Sequence, residues 1–201
     1  MSESTENKTP KLAPPGAGVP LIQQLFMRFW LRPFVSKRAK RSDVRASYEA
    51  VCAKLISLVE SVPQEKRSTR ILVPPQPGLE DSSRYWSLNG VLEHVMIVQR
   101  AIEGGVLSLA AGKVPGTSAD VASVKPKEIS GDQLASFKEY APGYFARIDE
   151  KLSQPGMNAD SKLTFKHPWF GGLNAHQWYW LAASHLGIHY RQAKQIAKEL
   201  R

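Results

Sequence analysis

The sequence predicts an all-α protein, a four-helix bundle preceded by an N-terminal extension, on three observations. Apolar residues recur at steps of three and four in four long segments, the spacing that turns one face of a helix toward a core. No segment sustains the alternation of apolar and polar residues that a half-buried strand needs. Stretches rich in proline and glycine separate the four segments and mark connections between helices. At 201 residues, 42% of them hydrophobic, the chain is long enough for one domain with a sizeable core.

Residues 1–20 are polar and proline-rich, cannot bury enough apolar surface to offset ordering entropy, and are expected to be disordered. Residues 21–41 read as an amphipathic helix followed by a basic arm, and residues 42–201 as the bundle. Its first helix carries Val44, Tyr48, Val51, Leu55, Leu58 and Val62 along one face, closes before Pro63, and has Ser42 or Asp43 as its cap. Residues 64–86 form a loop. The second helix begins at Ser87 as N-cap and stops at Gly112 or soon after, and residues 113–129 are a long connection. The third helix occupies about 130–153, where Pro142-Gly143 should kink or split it. After a loop over 155–173, the fourth helix starts at Asn174, whose spacing to Gln177 matches a capping box, and runs almost to Arg201.

The lone Cys52 excludes an internal disulfide framework and a cysteine-based zinc finger, and it reads as a small buried hydrophobe in a reducing compartment. There is no uninterrupted apolar run of about 20 residues, as a spanning helix requires. Residues 1–20 lack the basic and apolar regions of a signal peptide. A cytoplasmic location is the expectation.

The formal charge of +9 is uneven: from Arg28 to Arg45 seven basic residues stand against Asp43 alone, a net +6. Just upstream, Leu21, Ile22, Leu25, Phe26, Phe29 and Trp30 repeat at helical spacing. Such a segment can lie on an anionic membrane surface or dock on its own domain. Docking is the expected outcome, with Phe26, Phe29 and Trp30 buried and the basic arm in solvent. No specific nucleic-acid binding is expected.

His185 and His189 lie four residues apart on the stripe Trp178, Ala182, His185, His189, Gln192, Ile196, so both imidazoles should point inward. Burying two unpartnered polar rings would cost about 1–3 kcal/mol each, so either a metal ion or a hydrogen-bond network must account for them. His176 falls half a turn round from His185 and faces away, and His167 sits in a loop where a local hydrogen bond is its commoner role. His94, flanked along its helix face by Gly90, Val91, Val98 and Ala101, is the best third ligand. Three neutral imidazoles would leave a divalent cation with open positions for water or substrate. Glu93 reads as a solvated charge, Glu103 as turned away, Gln192 equally as a packed core residue or as one that orients water or an imidazole, and Tyr190 and Arg191 as groups flanking the site, Arg191 more commonly just exposed.

Two stretches carry a resemblance. WSLNGVLEHV resembles the second-helix signature of the DinB-like superfamily of bacterial four-helix bundles, and HPWFGGLNAHQWYWLAASHLGIHYRQAKQI is similar to its fourth-helix region. The resemblance implies a metal triad of His94, His185 and His189, an ion that is zinc or nickel, and a transferase or isomerase activity with a low-molecular-weight thiol. Candidate partners are that small-molecule thiol and a second copy of the chain in a homodimer. The added residues 1–41 depart from the plain family domain, and the alternative function is a non-catalytic metal-binding bundle that this basic arm recruits to a partner or an anionic membrane.

Overall fold

The computed structural model describes residues 10–116, 121–127 and 131–201, and they are mainly helical. Helix α1 (Leu21–Phe26) runs directly into a π-helical stretch, Met27–Ser36. There follow α2 (Arg41–Glu60), α3 (Leu88–Ala110), α4 (Gln133–Tyr140), α5 (Tyr144–Leu152) and α6 (Ala175–Leu200). Two short antiparallel hairpins sit in the connections. One pairs β1 (Ile71–Leu72) with β2 (Tyr85–Trp86), and the other pairs β3 (Phe165–His167) with β4 (Gly171–Leu173), bringing His167 opposite Gly171. Strands of two or three residues are too short to leave a periodic pattern in the sequence.

Helix α6 packs along both α2 and α3, and α4 and α5 close the remaining side of the core. The predicted break at Pro142-Gly143 is a full division into α4 and α5. Tyr48, Leu55, Leu92, Phe137, Phe145 and Leu186 are fully buried between these helices. Two buried tyrosines find backbone partners, as burial of a phenol requires: Tyr48 donates to the Ala141 carbonyl and Tyr144 to the Gln99 carbonyl.

The local signals at three helix ends act as read. The Ser87 hydroxyl accepts from the Gly90 amide, and Asn174 and Gln177 form both bonds of a capping box. Gly112 takes φ +80°, a left-handed conformation that glycine enters freely, so the Lys113 amide can bond back to the Ser108 carbonyl and close α3. The start of α2 differs from expectation. The helix begins at Arg41 with Lys40 at its cap, and no side chain caps it. The Ser42 hydroxyl donates to Asp43 Oδ1 instead of accepting from the backbone.

The N-terminal segment departs further. Residues 1–9 lie outside the described residues, but the tail expected to be disordered is laid against the body of the protein from Pro10 onward. The Ala13 amide donates to Asp81 Oδ2, the Gly16 and Gly18 amides donate to Glu80 Oε1, and Val19 is buried. These bonds supply what the poor apolar content of the tail cannot.

The expected burial of Phe26, Phe29 and Trp30 is wrong. They are 52%, 64% and 53% exposed. The segment does dock, through the opposite face and mostly by polar contacts. Gln23 Oε1 accepts from the Gly78 amide, Arg32 donates to the Phe170 and Gly172 carbonyls, and Gln177 Nε2 donates to the Arg32 carbonyl and the Ser36 hydroxyl. Met27 is the large apolar side chain of this segment that is fully covered. Buried hydrogen-bonding groups that would otherwise go unpaired outweigh the apolar stripe in choosing which face turns inward.

Candidate metal centre

Three imidazoles converge where α3 and α6 face each other. Nε2 of His185 lies 3.2 Å from Nε2 of His94 and 3.1 Å from Nε2 of His189, and one ring nitrogen of each residue lies within 4.8 Å of the others. His94 and His189 are buried and His185 is half-buried.

Two of the rings are held from behind. His94 Nδ1 lies 2.6 Å from the Val124 carbonyl, which can only accept, so Nδ1 carries the proton and Nε2 is left with its lone pair. His189 Nδ1 lies 2.7 Å from Gln192 Oε1. The amide of Gln192 is itself oriented, because its Nε2 donates to the Ser83 carbonyl at 2.7 Å. His189 therefore also presents a bare Nε2 inward. His185 has one proton to offer and two lone pairs facing it, and its own Nδ1 is buried with no hydrogen-bond partner among the described residues. An arrangement of three inward nitrogens that cannot satisfy one another has the spacing and the donors to hold one cation.

Burial holds all three rings neutral. It pushes the pKa of His94 down to about 4, with the Lys125 ammonium adding to the effect and the Val124 hydrogen bond opposing it. His185 and His189 fall well below the ordinary histidine range, through burial first and then through the proximity of the other imidazoles. Neutral imidazole is the form that ligates metal.

Around the triad, Trp86 stacks on His189 at 5.8 Å and 12° between planes, and its ring also lies 4.8 Å from that of His94. Lys125 Nζ also lies over the indole, 5.3 Å from its centroid. The Lys125 ammonium donates to Glu80 Oε2, Ser82 Oγ and Ser83 Oγ, each at 2.7 Å. A cavity of 1040 Å³ includes the triad in its wall together with Val98, Ile102, Phe170 and Ile188. Phe26, Met27 and Leu31 of the N-terminal helix line it as well.

All three predicted ligands are brought together. His176 is not among them, and His167 makes the loop bonds expected of it, its Nδ1 accepting from the Trp169 and Phe170 amides. Gln192 holds an imidazole. Cys52 is buried, and burial raises its thiol to about 11. Glu103 pairs with Lys151 and Arg191 is exposed. Two expectations fail. Glu93 is buried rather than solvated, because the segment 124–127 folds over α3 and its Lys127 amide donates to Glu93 Oε1. Tyr190 turns to a separate groove beside α2, with Ala53, Ser57 and Leu58. Sequence reasoning missed the roles of Trp86, Val124 and Lys125. Trp86 had a signal, its position just before the N-cap of α3. The other two lie in a connection without periodicity.

No protein-family model matches the chain, and comparison with curated proteins and with solved structures likewise gave no match.

Proposed function

We propose that the chain is a divalent-metal protein in which Nε2 of His94, His185 and His189 hold one ion. Within that class the more particular reading is a DinB-like four-helix bundle whose ion, zinc or nickel, serves a transferase- or isomerase-type reaction with a low-molecular-weight thiol. The observation that carries the metal reading is the convergence of three lone pairs with Nδ1 of His94 and His189 already engaged. Nitrogen–zinc bonds of about 2.0–2.1 Å at tetrahedral angles place ligand nitrogens about 3.3 Å apart. The separations from His185, 3.1 and 3.2 Å, are close to that value. The particular reading rests on the two DinB-like stretches of sequence.

An ion with three protein ligands keeps a position for water or sulfur and lowers the pKa of what it binds there. The chain's own residues supply the rest. Trp86 covers one side of His189, Val98, Ile102, Phe170 and Ile188 give the cavity an apolar wall, and Arg191 on that wall adds positive charge suited to an anionic thiol, whereas the charge of Lys125 is already met by Glu80. Cys52 is no rival nucleophile, because its buried thiol is held neutral at pH 7.

Metal analysis of protein purified without chelator or affinity metal tests the first reading, with about one equivalent per chain expected. For the second, cobalt-substituted protein titrated with small cellular thiols should develop a sulfur-to-metal charge-transfer band. Absence of that band with every thiol, together with no activity on electrophilic thiol acceptors, would overturn the thiol reading and leave the metal reading standing.

Gln192→Leu should weaken metal binding by about 10–100-fold, as for other residues that orient a ligating histidine. Competition against a chromophoric chelator measures it. An unchanged affinity would show that the Gln192–His189 bond does not orient the ring.

A further inference from the structure

Eight of the eleven large apolar side chains that the described residues leave exposed lie between Leu21 and Val35. Ile22 is 82% exposed and Leu21 68%. Phe26, Trp30 and Phe34 follow one another in ring contact, the first pair stacked and the second tilted, with centroid separations of 6.5 and 5.2 Å. A contiguous apolar face of this kind on a water-soluble surface marks an interaction site. It cannot turn inward, because Gln23, Arg32, Ser36 and Gln177 fix the opposite face by hydrogen bonds to the body.

The charges beside this face choose the occupant. Arg28, Lys37, Arg38 and Lys40 are exposed, and no acid occurs from Pro10 to Ser42. Leu21, Ile22 and Leu25 have nothing to meet on a nucleic acid, whereas the acyl boundary of a bilayer takes aliphatic side chains and its headgroups take the cations. Among the described residues no helix is long and apolar enough to cross a membrane, so attachment would be from one side.

We propose that the helical segment 21–36 and the basic turn after it dock the folded protein on an anionic phospholipid surface, with Leu21, Ile22, Phe29 and Trp30 entering the acyl boundary and Arg28, Lys37, Arg38 and Lys40 at the headgroups. The proposal is independent of whether the triad holds a metal.

The full-length chain should sediment with vesicles of phosphatidylglycerol and phosphatidylcholine, release as salt is raised, and stay in solution with phosphatidylcholine alone. Lys37→Glu with Arg38→Glu should weaken binding by at least about 30-fold, from about 1 kcal/mol per basic residue lost near the surface. Ile22→Ser with Trp30→Ser should abolish binding at any salt concentration while leaving circular dichroism and melting unchanged, since both side chains are exposed. Failure of the wild-type chain to bind anionic vesicles at low salt would overturn the proposal. So would full retention of binding by Ile22→Ser with Trp30→Ser, or a stable dimer in sedimentation that this double change dissociates without any vesicle binding by the wild type.

Discussion

Alanine in place of His189 should strip the protein of stoichiometric metal, with affinity falling by about 10²–10³-fold. The scale follows from apparent zinc binding free energies of about 10–16 kcal/mol for four-ligand sites, or about 2.5–4 kcal/mol for each ligand. His94 and His185 should behave alike, because each contributes one Nε2 to the same point. His189→Gln controls for the volume lost from a buried position. His176→Ala should leave metal content unchanged, since its half-buried ring is not one of the converging three. The quantities to measure are metal per chain after dialysis and melting temperature with and without added ion. Wild type should melt higher with the ion, and the alanine variants should lose that increment. Full metal retention in two of the three single alanine variants would refute the assignment.

The second large effect is expected at Glu80. One carboxylate oxygen accepts from the Gly16 and Gly18 amides, and the other accepts from Lys125 Nζ and the Ser82 hydroxyl, both at 2.7 Å. The side chains of Glu80 and Lys125 are 2% and 16% exposed. Glu80→Gln turns an amide donor toward an ammonium and leaves that ammonium buried without its counter-charge, a loss of about 3–5 kcal/mol. For a chain of this size that lowers the melting temperature by about 6–20 °C. Burial alone would raise the Glu80 carboxyl, but hydrogen bonds from Lys125, Ser82 and the Gly18 amide outweigh it and hold the group below the usual carboxylate range. A depressed acid stabilises the fold above its unfolded-state pKa, and that stability is lost as pH falls through its folded-state value. The gap between wild type and Glu80→Gln should therefore close on acidification. Lys125→Met added to Glu80→Gln should recover part of the loss, and a single variant melting within about 2 °C of wild type would remove the ion pair from the account.

What the sequence made legible was local or periodic. Asn174 and Gln177 announce the start of α6 because a capping box is completed within four residues, and His185 and His189 share a face because helical geometry alone puts them there. His94 could be chosen because its helix face carries small and apolar neighbours. Residues joined across long separations gave no such sign. Glu80 and Lys125 are 45 residues apart, and Val124 reaches His94 across 30. The N-terminal stripe was visible, but its direction was not. Amphipathicity gives a face without saying what it faces, and here polar bonds from Gln23, Arg32 and Gln177 settle the matter. Helical spacing was also extrapolated as α past Met27, where the backbone becomes π-helical and the turn widens.

The stacking of Trp86 on His189 gives the centre an optical reporter of its own. Of the five tryptophans in the chain, Trp86 has its ring against two of the three converging histidines, at 4.8 and 5.8 Å. An open-shell ion such as cobalt(II), held at those nitrogens, would sit within quenching range of that indole, whereas Trp30 emits from the outer face of the N-terminal helix. Titration of the ion can therefore be followed in unlabelled protein. Trp86→Phe removes this indole's share of the quenching and keeps an aromatic ring over the imidazole, which separates it from any share of Trp169, Trp178 and Trp180 in the same cavity wall.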